Sequence, residues 1–159
     1  MVAGLLPDQA RGRTVINDHV RDGGEITTLL DVSAQPLLVA WLAEHRPSAH
    51  GDVGDALLRA AKETCDEWIA FSPSFAQCRY VALITARRAF ALATGMHRVS
   101  VCVAKEDVPV ALAQGCTMHT ELGDGWLSFE LWSSPAPPDL RVWLGAAYAH
   151  ARAGIGPRY

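Results

Sequence analysis

The chain has 159 residues, half of them hydrophobic and 19% charged, with a formal net charge of −3. This length and balance suit one globular domain with a substantial core, and the small negative charge argues against a protein that coats nucleic acid or acidic membrane by bulk attraction. The uncharged stretch 69–77 is broken by Ser, Pro and Gln, and residues 1–6 are too short an apolar run for a secretory signal, so no membrane span and a cytoplasmic location are expected.

Charge is unevenly spread. From Trp68 to Lys105 there are five basic residues, Arg79, Arg87, Arg88, Arg98 and Lys105, and no acidic one, so this segment is +5 and the remainder −8. On one sheet they make a positive edge or face; taken singly they blunt exposed strand edges and turns. The four cysteines, Cys65, Cys78, Cys102 and Cys116, form no Cys-x-x-Cys and have no histidine at a zinc-ligand spacing. In a reducing compartment, with Val101 and Val103 beside Cys102, they read as packed free thiols rather than nucleophiles.

In chain order, residues 1–32 read as an irregular arm or short helix, broken by Pro7, Gly12, Asn17 and Asp22-Gly23-Gly24. A helix is predicted over 35–45, capped by Ser33, with Pro36 in its first turn, an apolar stripe of Leu37, Leu38, Trp41 and Leu42, and Pro47 ending it. A second helix starts at Asp52 or Asp55 and carries Leu57, Leu58, Ala61, Cys65, Trp68 and Ile69 on one face as far as Ser72-Pro73. The period then drops to two. Residues 80–85 and 89–94 form a hairpin about Ala86-Arg87-Arg88, and 98–104 form a strand with Val99, Val101 and Val103 on its buried face. Asp107 caps a short helix stopped by Gly115. Met118 and the run 126–132 flank the turn 122–125 as two further strands, and Asp139 opens a last helix with Leu140, Trp143, Leu144, Ala147 and Tyr148 inward. The expected fold is one α+β domain over 33–152, with a tail at 153–159. Its antiparallel sheet has about five strands backed by helices, two helices preceding the sheet.

Arg-Ala-Phe-Ala-Leu at 88–92, Val-Ser-Val-Cys-Val at 99–103, Gly-Trp-Leu-Ser-Phe-Glu-Leu at 125–131 and Ala-Ala-Tyr at 146–148 follow in an order that resembles the MmcQ/YjbR-like family of small bacterial proteins. That family typically shows an aromatic strand, a strand ending in Lys, a short helix, a Gly-Trp strand and a closing helix with a Ser-Tyr or Ala-Tyr pair. Lys105 and Gly125-Trp126 stand at the matching places, while the two helices before this stretch depart from a minimal member. The resemblance implies an α+β fold and DNA binding, the latter inherited by analogy of fold.

Two groups of residues carry candidate functions. Trp126, Ser128, Glu130 and Trp132 share one strand face, opposite Leu127, Phe129 and Leu131; under the last helix the two indoles are core, and left open they are a platform for a ring or a base. With Arg79, Arg87, Arg88, Arg98 and Lys105 nearby, that face is a DNA site of modest, salt-dependent affinity. The rival is a pocket between the sheet and the early helices, lined by Trp41, Trp68, Phe71 and Tyr80, for a hydrophobic small molecule oriented by Arg79 or His119.

Three weaker constellations stand beside these. His45, His50 and Asp52 offer metal-ligand chemistry, yet in a loop they read as solvated polar residues. His97 and His119 can face each other across a sheet, Glu121 or Asp124 orienting one as a general base; as strand-end polar residues they need no such role. No dinucleotide, Walker, nucleophile-elbow or zinc-protease motif occurs. The reading is a non-catalytic binding module with no cofactor and no metal, its partner DNA or a hydrophobic small molecule. A cofactor-independent enzyme is the alternative, and the apolar surplus allows a homodimer.

Overall fold

A computed structural model describes residues 20–132 and 137–153. The strands are β1 (Val20–Asp22), β2 (Ile69–Ser72), β3 (Val81–Thr85), β4 (Arg88–Thr94), β5 (Arg98–Cys102), β6 (Thr117–Met118) and β7 (Trp126–Glu130). The α-helices are α1 (Pro36–His45), α2 (Gly51–Thr64), α3 (Val108–Ala113) and α4 (Leu140–Ala153). The strands form one sheet in the order β1-β2-β3-β4-β5-β7-β6; β1 runs parallel to β2, and all other neighbours are antiparallel.

The fold is α+β, with helices on both faces of the sheet. On one side α2, α3 and α4 cover Val81, Leu83, Phe90, Val99, Val101, Leu127 and Phe129, with Leu57, Trp143, Leu144 and Ala147 supplying the helical half of the core. On the other, α1 and the single 3-10 turns at Ile26–Thr28 and Thr120–Leu122 cover Phe71, Tyr80, Ala82, Ile84, Leu92 and Trp126. Two covered faces explain why all five residues of β3 are buried. They also correct the expectation for the third strand run, since Ser100, opposite Val99 and Val101, is as buried as they are.

The sheet has seven strands where five were expected, and it is mixed. β1 falls in the stretch read as an irregular arm, and β2 in the end of the stretch read as the second helix. Ile69-Ala70-Phe71 is an apolar run too short for periodicity to separate helix from strand. The helix stops earlier because Cys65 is extended, at φ −126°, so Trp68 and Ile69 leave it. Residues 23–32 of the arm hold the turn Ile26–Thr28 and lead into a second one at Val32–Ala34, while residues 1–19, the loop 133–136 and the tail from 154 lie outside the described residues.

Local details also differ. Ser33 donates its hydroxyl to Asp31 at 2.7 Å instead of capping α1, and Leu37 is 57% exposed, leaving Leu38 and Leu42 as the sheet-facing stripe. Asp107 precedes α3 without a side-chain capping bond, whereas Asp139 caps α4 by accepting the Arg141 N–H at 3.0 Å. The β3–β4 hairpin turns on Ala86 and Arg87, both left-handed at φ 53° and 61°, a pair of conformations that usually calls for Asn-Gly. Arg87 holds the turn from both ends: its guanidinium donates to the Leu30 carbonyl at 3.0 Å, and its own carbonyl accepts the Asp31 N–H at 2.8 Å. A register shift in this hairpin leaves Phe90 as an extra residue, so Phe90 and Ala91 both enter the same core.

Candidate functional site

The five basic residues of the sequence reading do not share a face. Arg79 precedes β3 and Arg98 begins β5, at the sheet end where β4 finishes. Arg87, Arg88 and Lys105 gather at the opposite end, about 20 Å away along the seven residues of β4. Arg79 donates to the Pro47 carbonyl at 3.3 Å, and Arg98 pairs with Glu130 at 3.0 Å. The two indoles also part. Trp126 is 2% exposed beneath α1 and the Thr120–Leu122 turn, on the face away from α4, while Trp132 lies beyond the strand in a left-handed conformation, 59% exposed, edge-on to His97.

The residues named for the aromatic pocket are likewise distributed. Trp68 is in the core on the α2–α4 side, its indole N–H donating to the Cys65 carbonyl at 3.3 Å. Phe71 and Tyr80 flank α1 on one side; Trp41 and His119 come together on the other. His50 accepts the Asp52 N–H at the start of α2, and His45 stacks on Trp41, so the suspected ligand trio is split. Among the described residues no three His, Cys, Asp or Glu side chains stand close enough to hold a metal ion, and no helix is long and apolar enough to cross a membrane.

A cluster of polar and aromatic groups lies where α1 meets the Thr120–Leu122 turn beside β5 and β7. Helical spacing points Leu38 and Leu42 at the sheet and sends Trp41 and His45 to one flank. Trp41 is sandwiched there between His45, stacked at 4.6 Å, and His119, edge-on at 5.3 Å. Its indole nitrogen is buried with no hydrogen-bond partner among the described residues, a group natural structures seldom leave unpaired. Behind it, His119 Nδ1 lies 2.8 Å from the Ser128 hydroxyl, which lies 2.7 Å from that of Ser100. With the imidazole proton on Nε2, Ser100 donates to Ser128, Ser128 donates to Nδ1, and the Nε2–H faces Glu121, 3.6 Å away. Burial holds His119 below the ordinary histidine pKa, with Arg98 and His45 adding to the effect against Glu121.

In front of Trp41 is an open groove of about 400 Å³, lined by Trp41, His45, Thr94, Met96, Arg98 and Glu130. Glu130 divides its carboxylate: one oxygen pairs with Arg98 at 3.0 Å, the other approaches His97 Nδ1 at 2.7 Å. The α1–α2 connection is stitched to the strand ends beside it, with Gly95 N–H donating to Ser48 at 2.7 Å and His50 N–H to Gly95 at 2.8 Å. The groove therefore has a rigid wall, a cation, an anion and two stacked rings. His97 and His119 serve different partners and do not form the paired base suggested by the sequence.

Sequence reasoning missed Ser100, Thr94 and Met96 as site residues and named Glu130 only as a neighbour of the two indoles on one strand face. The available signal was a serine at mid-strand in both β5 and β7, polar positions in otherwise apolar runs. Only their register, Ser100 opposite Ser128, turns two isolated serines into a cluster. Compared with known proteins, the chain matches no family model, no curated protein and no solved structure.

Proposed function

We propose that this protein is a non-catalytic small-molecule-binding module whose ligand occupies the groove between α1 and the β4–β5–β7 end of the sheet. The observation that carries the reading is the convergence of the Arg98–Glu130 pair and the His45–Trp41 stack on one groove of about 400 Å³, within the size range of small-ligand sites. The Arg98 bond to Glu130 runs through Nε, so the terminal nitrogens are the donors facing the groove and the ligand is a compact amphipathic molecule that carries an acceptor. Its apolar part lies against Met96 and Trp41. Ser128 and Ser100 are too enclosed, at 6% and 0% exposure, to meet a substrate, which favours binding over acyl transfer.

The MmcQ/YjbR-like resemblance favours DNA instead. A duplex needs a run of cations along one surface, and here they divide between two ends of the sheet. Intrinsic tryptophan fluorescence tests both readings, using amino acids, nucleosides and small aromatic amines as probes and duplex DNA at two salt concentrations as the competitor. A saturable change with a small compound, lost in W41F and R98Q, supports the groove. A salt-dependent change with DNA alone, lost on replacing Arg87, Arg88 and Lys105, transfers the function to the basic end.

A further inference from the structure

The other flank of α1 carries Val39, Ala43 and, past its last turn, Arg46, facing away from the Trp41 groove. A separate cavity of about 360 Å³ opens there against β2, the start of β3 and the segment 24–27. Its apolar lining includes Ile26, Leu42 and Phe71; its polar lining includes Arg46, Arg79, Tyr80 and Glu25. Tyr80 is 4% exposed, its ring packed against Phe71 with centroids 6.1 Å apart. Its phenol brings a hydroxyl donor to the lining of the cavity.

The charges around the cavity specify what it admits. Arg79 is half-buried, and its Nε donates to the Pro47 carbonyl at 3.3 Å, fixing the guanidinium plane while its terminal nitrogens stay outside that bond. Arg46, left-handed at φ 46°, ends α1 on the same cavity. The carbonyls that close this helix are already engaged: Leu42 accepts the Arg46 N–H at 3.0 Å, and Pro47 accepts the Tyr80 N–H at 3.2 Å. Two guanidinium groups against one carboxylate, Glu25, leave a net single positive charge over an apolar floor. Burial raises the Tyr80 hydroxyl to about 12, which keeps it a donor at neutral pH.

We propose that this cavity is a second ligand site, for a small organic monoanion: a carboxylate on a short aliphatic or aromatic body. The carboxylate meets Arg79 and Arg46, the planar fork of the first suiting its two oxygens. Tyr80 donates a third hydrogen bond, and the body lies over Phe71, Leu42 and Ile26. A dianion exceeds the single net charge, and a neutral amide forgoes the charge-assisted bonds.

The test is calorimetric titration of the full chain with benzoate, 4-phenylbutyrate and hexanoate, each paired with its neutral amide, followed by NMR chemical-shift mapping. At least one carboxylate is expected to bind one-to-one and its amide about tenfold more weakly, the loss of charge-assisted bonds being of that order. R79Q is expected to weaken it about tenfold and Y80F about threefold. Because Arg79 also holds Pro47, R46Q on the exposed Arg46 provides a variant that leaves the packing alone, and it too is expected to weaken binding. W41F leaves the affinity unchanged, which separates this site from the groove across α1. The proposal is overturned if none of the three carboxylates binds, if amide and acid bind alike, or if W41F abolishes binding while R46Q and R79Q retain it.

Discussion

Ser100 and Ser128 meet directly across β5 and β7, their hydroxyl oxygens 2.7 Å apart and both residues buried. The pair forms the inner end of a chain that reaches His119 at 2.8 Å and then Glu121 near the surface. Each member satisfies the next, and for that reason polar groups are tolerated between two apolar cores.

Removing the middle of this chain is expected to cost more than removing its end. S128A removes the shared partner of the Ser100 hydroxyl and His119 Nδ1, leaving them only their long direct contact at 3.5 Å, and should destabilise the protein by about 1–3 kcal/mol, the penalty for a poorly satisfied buried group. S100A removes only the terminal donor and should cost less. Urea unfolding of both single variants and the double variant checks this: the double should lose less than the sum of the singles.

Stability should also respond to pH through His119. Burial lowers its folded-state pKa beneath the ordinary value of 6.5, so the unfolded chain takes up a proton first as pH falls. The contribution of neutral His119 is complete above the unfolded value and is lost as pH drops from there toward the folded value. H119Q should flatten that part of the stability profile, measured as the unfolding midpoint at pH steps on either side of neutrality.

Two glycines should respond to alanine in opposite ways. Gly125 has φ +84°, and an added Cβ would stand 2.7 Å from the Val103 carbonyl oxygen. G125A therefore combines left-handed strain with a backbone clash and should cost about 3 kcal/mol. Gly145 lies inside α4 with nothing within 4 Å of an added Cβ, so G145A should stabilise by about 0.5–1 kcal/mol through helix propensity. Thermal melts of the two variants, falling for one and rising for the other, decide the point.

The cysteines should divide into one reactive thiol and three protected ones. Burial pushes Cys65, Cys102 and Cys116 up to about 11, whereas Cys78 is exposed. A thiol reagent added to native protein should titrate Cys78 quickly and the others only after unfolding. Cys78 is also left-handed, at φ 58°. C78G should therefore abolish the fast phase and raise the melting temperature, by relief of about 1 kcal/mol of backbone strain.

The sequence by itself determined what depends on neighbours along the chain. The 3.6 period marked α1, α2 and α4, alternation marked β3, β4, β5 and β7, and the Asp139 cap and the turns near Ala86 and Gly123 were readable because helix caps, turns and side-chain periodicity are local properties. Only the tertiary structure decided what depends on distant partners. β1 and β2 are too short to announce themselves and exist because each pairs with a strand elsewhere. Leu37 matches the apolar stripe, yet α1 packs through Leu38 and Leu42 and leaves it in solvent. Arg79, Arg87, Arg88, Arg98 and Lys105 lie in one acid-free segment, but strand direction sends them to opposite ends of the sheet. Trp41, His119, Ser100 and Ser128 are separated by many residues in sequence and meet through register and helix placement. Those depend on long-range pairing and two-sided burial, and no local period encodes them.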